Sequence, residues 1–156
     1  AGWTAVSGGS VSFGVLDPGS TTNLFNFVPD GVNVGYNNGG TLFQTVGDTA
    51  LSGLTYTLLV DVGLRKDFPV VGIVELLVGS TVVTATFQAQ FTATSADIGA
   101  AIRIQLRSNG QQATFDNVRL DATGTGDPAI PEPGTMALVG LGGLGMSVWA
   151  RRKRAA

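Results

Sequence analysis

Histidine and cysteine are both absent from this 156-residue chain, which removes most of the side-chain chemistry a protein of its size can carry. Without imidazole there is no Ser-His-Asp or Cys-His system and no side chain that ordinarily titrates near neutral pH. Without thiolate there is neither a disulfide framework nor a cysteine metal site. Carboxylates and aromatic rings remain. Asp116 is the carboxylate that stands out, because a period of two puts it on one strand face with Thr114, Val118 and Leu120, pointing toward the core. A buried carboxylate must be hydrogen-bonded, coordinate a cation or take up a proton. Glu75 alternates with Ile73 and Leu77 in the same manner, although a sheet edge would expose it harmlessly. Trp3, Phe13, Phe25, Phe27, Tyr36 and Phe43 are either core residues or, with Trp3 and Tyr36 foremost, a platform on which sugar rings stack.

These groups need a scaffold, and residues 1–122 read as a single all-β domain. Threonine, valine and phenylalanine dominate runs separated by glycine-rich turns. Strands are expected at 41–46, at 55–64 with Tyr56, Leu58, Val60 and Val62 on one face, and at 70–78. Gly79-Ser80 turns into a strand at 81–87, and the spacing of Phe87, Ala89, Phe91 and Ala93 extends it, long or bent, through Thr94. Residues 101–107 turn Ile102, Ile104 and Leu106 inward, and 113–120 close the domain. Asn37-Asn38-Gly39-Gly40 reads as a turn with positive φ rather than a phosphate cradle. Many short strands with one apolar face fit a β-sandwich of the jelly-roll type. Residues 123–130 form a linker without apolar periodicity.

The end of the chain is different. The 16 residues 135–150 carry no charge, whereas Arg151, Arg152, Lys153 and Arg154 follow directly. The apolar run can enter hydrocarbon and the cations cannot, so a hydrophobic helix stopped by a basic cluster is expected. About 20 residues span a bilayer comfortably, which makes this a marginal anchor. The positive-inside rule leaves the basic end in the cytoplasm and the domain across the membrane. Before Pro131 there are five basic residues against ten acidic ones, a net of about −5, so nucleic acid is excluded as a partner. Calcium, sugars and neutral surfaces stay open. Ala1-Gly2-Trp3 opens without a signal peptide, so the chain reads as processed or truncated at its start.

Pro131-Glu132-Pro133, the apolar helix and the terminal Arg151-Arg152-Lys153-Arg154 together resemble the PEP-CTERM sorting signal of residues 131–156. That resemblance implies recognition by an exosortase, a membrane protease of Gram-negative envelopes. An inner-membrane precursor would then reach the cell surface or the extracellular matrix. In the body, the blocks at 30–40, 55–63, 74–79 and 115–120 are similar to carbohydrate-binding-module-like jelly rolls that include the Stig cyclases. Relatives usually begin with an extra strand that helps an aspartate of the last strand ligate a structural calcium, and this chain lacks it. The resemblance leaves Asp116 three roles: structural, calcium ligand, or general acid of the cyclase kind. The leading expectation is a non-catalytic, glycan-binding surface protein with polysaccharide as partner; the alternative is a small-molecule cyclase using Asp116.

Overall fold

In a computed structural model of the chain, residues 2–6, 12–18, 25, 31–63, 65–67, 72–109 and 111–126 are described. They form two five-stranded antiparallel sheets and, apart from a single 3-10 turn at Ser95–Asp97, no helix. The strands in chain order are β1 (Thr4–Val6), β2 (Ser12–Leu16), β3 (Val34–Asn38), β4 (Thr41–Thr49), β5 (Thr55–Gly63), β6 (Ile73–Val78), β7 (Thr81–Ala85), β8 (Gln88–Thr92), β9 (Ala101–Arg107) and β10 (Gln112–Thr123). One sheet has the order β1-β4-β9-β6-β7 and the other β2-β3-β10-β5-β8. The jelly-roll sandwich expected from the alternation is therefore the fold.

The core lies between the sheets and follows the period-two pattern. Tyr56, Leu58 and Val60 of β5 meet Val74, Leu76 and Val78 of β6 and Ile102, Ile104 and Leu106 of β9. Each large aliphatic side chain so enclosed contributes about 1.5–3 kcal/mol. The Tyr56 hydroxyl is not left wanting, since it accepts the Leu51 N–H at 2.9 Å. Gly39 has φ 79°, so the turn joining β3 to β4 does need a left-handed residue.

Two expectations about strands are corrected. The run from Thr81 to Thr94 is not one bent strand: β7 ends at Ala85, the chain crosses from one sheet to the other at Thr86-Phe87, and β8 begins at Gln88. Phe87 is left 64% exposed at this crossing, held by its carbonyl accepting the Val60 N–H at 2.9 Å. Both sheets bury the same parity here, so alternation continues through a change of sheet. Strands β1, β2 and β3 carried no such pattern and were not foreseen. At the other end β10 runs to Thr123, and Gly126 rests against Leu51 and Leu54, so the described fold continues past residue 122 into the stretch read as linker.

The chain divides after Gly126. The second unit holds Pro131, Glu132, Pro133, the apolar run 135–150 and Arg151, Arg152, Lys153 and Arg154, and all of these lie outside the described residues. Among the described residues no helix is long and apolar enough to cross a membrane.

Candidate functional site

The sheets part on the side where β1 and β2 form their edges, leaving a cleft of about 590 Å³. One wall is a row across the first sheet, Ala5 beside Leu42 beside Leu106. The other is the row Val15, Gly35 and Phe115, with Phe13 next to it. Gly35 adds no side chain to this wall, which leaves the interior open. Trp3 and Phe13, 43% and 44% exposed, sit at the rim. The lining is thus mostly apolar, as in sites that enclose small molecules.

Its polar part comes from Asp116, Asn117 and the bulge they create. Pairing of β10 with β5 shifts register between Asp116 and Arg119, and Asn117 adopts φ 49°, the one non-glycine residue with positive φ among the described residues. Asparagine tolerates this left-handed conformation better than most residues. Ahead of the bulge Ala113 and Phe115 face the core; beyond it Val118 and Leu120 do. The inward parity has changed. The expected shared face of Thr114, Asp116, Val118 and Leu120 does not exist, because the extra residues of the bulge break the alternation. Thr114 belongs instead to the outer row Gly14, Tyr36, Thr114 and Gly63, where its hydroxyl donates to the Gly63 carbonyl at 2.9 Å.

Asp116 is half-buried in the cleft wall, directly across from Asp61 in the register of β10 and β5. Asn117 links the two: its backbone N–H donates to Asp116 Oδ1 at 2.8 Å and its Nδ2 to Asp61 Oδ2 at 3.0 Å. Calcium wants six to eight oxygen ligands. Among the described residues no group of three or more carboxylates gathers to hold a metal, and the donors seen here on Asp116 and Asp61 are N–H groups.

The two aromatic residues expected to bind together are not brought together. Trp3 is at the cleft rim, whereas the Tyr36 ring covers Gly14 on the outer face of the same sheet as Phe13. Phe43 is on the outer face of the other sheet, with the Arg103 guanidinium 4.8 Å from its ring centre. Phe25 is half-buried and Phe27 lies outside the described residues. Glu75 also departs from expectation. It sits not at an edge but on β6, between β9 and β7, 5% exposed. Gln105 and Arg107 enclose it, and the Glu75 carboxylate raises the Arg107 guanidinium further above its ordinary pKa by accepting its hydrogen bonds. Asp61 and Asn117 were not singled out from sequence. The signal that would have found them is the Asp-Asn pair within a strand, since asparagine suits a left-handed bulge.

Comparison with known proteins agrees with this geometry. The HpiC1 cyclase family profile matches residues 1–121, and the PEP-CTERM protein-sorting motif matches residues 129–154. Among solved structures, the Stig cyclase Fisc from Fischerella sp. TAU, in complex with (3Z)-3-(1-methyl-2-pyrrolidinylidene)-3H-indole, is 26% identical with TM-score 0.65, over 80% of this chain and 86% of that one. An apo cyclase from Fischerella sp. is also 26% identical, with TM-score 0.67 over 80% and 84%. The CBM22-1 xylan-binding domain of Paenibacillus barcinonensis Xyn10C, 14% identical with TM-score 0.51 over 80% and 87%, shares the fold. The search among curated proteins returned no match. The chain belongs to the HpiC1-like cyclase family and ends in the PEP-CTERM sorting motif of an exported, membrane-processed protein.

Proposed function

We propose that this protein is exported, processed by an exosortase-type enzyme acting at the Pro131-Glu132-Pro133 motif, and displayed at the cell surface, where the cleft takes a small, largely apolar molecule. Asp116 is the acid of that site. The observation that carries this reading is an otherwise apolar cleft that has Asp116 among its lining residues and two aromatic rings at its mouth. A carboxyl group so placed can protonate a bound, electron-rich ring or alkene, leaving a cation that the aromatic rim stabilises, which is the opening step of a cyclisation. The related Fisc structure holds an indole derivative. Indole is therefore a suitable probe.

Titrating indole into the full chain held in amphipol, with ¹⁵N-labelled tryptophan, gives a site-specific readout. The Trp3 indole N–H is expected to shift in a saturable manner, and Asp116→Ala to weaken the response. Trp149, in the apolar run, reports nonspecific partitioning. An unmoved Trp3 signal would remove the cleft reading.

The second reading is polysaccharide binding without catalysis, favoured by the outer face of the other sheet. There Arg103 over Phe43 stands beside Gln105, the cross-strand partner of Phe43. Pull-down of the full chain on xylan, with Arg103→Ala as control, separates this from the cleft.

A further inference from the structure

Asp61 and Asp116 oppose each other on neighbouring strands, an arrangement that is unfavourable for like charges unless donors intervene. Asn117 supplies donors to both, one from its backbone and one from its side chain. It is also the residue whose φ of 49° makes the bulge. The bulge in turn lets Phe115 and Val118 both face the interior and puts Asp116 in the cleft wall between them. The contact from the Asn117 amide to Asp61 therefore ties an energetically uncommon backbone conformation to the regular strand β5.

We propose that Asp61 is the positioning residue of the cleft: by holding the Asn117 side chain it fixes the bulge, and so decides where the Asp116 carboxyl meets a ligand. The inference rests on the cleft reading above and adds a residue that lies on the neighbouring strand and is not part of the cleft lining. Asp61 acts through Asn117, so what matters is its capacity to accept a hydrogen bond, not its charge. An asparagine at this position keeps an acceptor oxygen in the same place.

Indole titration of the full chain in amphipol, read at Trp3, tests this. Asp61→Ala is expected to weaken binding about tenfold, the worth of one hydrogen bond of this kind. Asp61→Asn is expected to restore binding to within about twofold of the parent, a rescue that loss of packing alone would not allow. Asn117→Gly accepts the left-handed backbone without strain but lacks the amide, so it is expected to bind as weakly as Asp61→Ala. Combining the two should bring no further loss, because one interaction has been removed twice. Unchanged binding by Asp61→Ala, failure of Asp61→Asn to rescue, or additive losses in the double variant would each overturn the assignment while leaving the cleft intact. An unshifted Trp3 in the parent protein would overturn both.

Discussion

Glu75 and Arg107 are joined by a two-pronged ion pair on the outer face of the β6–β9 pair: Nη2 donates to Oε1 at 2.6 Å and Nε to Oε2 at 3.0 Å. Gln105 Nε2 donates to the same Oε2 at 2.5 Å. The geometry is rigid because a planar guanidinium fork meets a planar carboxylate across paired strands. Glu75→Ala removes the acceptor of three donors, Arg107 Nε and Nη2 and Gln105 Nε2. The glutamate side chain is only 6% exposed, but that of Arg107 is 37% exposed and can rehydrate. The expected loss is about 2 kcal/mol, less than the roughly 3–5 kcal/mol for breaking a fully buried pair. Urea denaturation of the parent and variant measures it.

Gly72 lies against the Phe115 ring. A Cβ built there would come within 2.6 Å of Cζ and 3.2 Å of a Val62 methyl carbon, so the ring must move. Phe115 is both core and cleft wall. Gly72→Ala is therefore expected to destabilise the domain by about 1–3 kcal/mol through overpacking. It should also shift the Trp3 signal in the absence of ligand, which NMR of the unliganded protein can check.

The connection from β8 to β9 carries a capping box. Asp97 Oδ2 accepts the Thr94 backbone N–H and hydroxyl, each at 2.8 Å. The backbone bond first, and the hydroxyl second, hold the Asp97 carboxyl below its ordinary pKa of 3.8. A carboxylate lowered in the folded state stabilises above its unfolded pKa, and that stability is lost as pH falls through the folded value. Thermal midpoints measured from pH 7 to pH 2 should show Asp97→Ala below the parent at neutral pH, the two curves converging below about pH 4.

The sorting motif makes a prediction independent of the fold. Replacing Pro131, Glu132 and Pro133 with alanine should block processing without changing the domain. The precursor is expected to stay in the membrane fraction with residues 131–156 retained. Fractionation followed by mass spectrometry checks it. Release of a shortened product from the variant would show that cleavage is directed elsewhere.

Much of this was legible in the chain itself. Alternation along 55–63 and 101–107 announces strands because the inward residues of a sandwich repeat every second position, and that regularity needs no partner to be seen. The missing histidine and cysteine, and the uncharged run ending in four cations, are likewise local facts with direct physical consequences. What the residues in sequence could not convey was which strand pairs with which. Thr81 to Thr94 keeps its parity while changing sheet, so period two is silent there. A period of two turns Asp116 toward the core with Val118 and Leu120, yet the register shift of β10 against β5 breaks that shared face, and only the pairing creates the shift. Glu75 looked like an edge residue until Gln105 and Arg107, some 30 positions later, came to lie beside it.

Composition and periodicity alone determined an all-β body, the exclusion of thiol and imidazole chemistry, and a lipid-compatible end with a cationic stop. The tertiary structure alone decided that Trp3, Phe13 and Asp116 share one cleft, that Tyr36 lies on the other side of its sheet, and that Asp61 reaches Asn117. The division has a physical cause. Burial preference is a property each residue carries with it, whereas register, bulges and clefts arise from hydrogen bonds between segments far apart in the chain, and those contacts exist only once the sheets have formed.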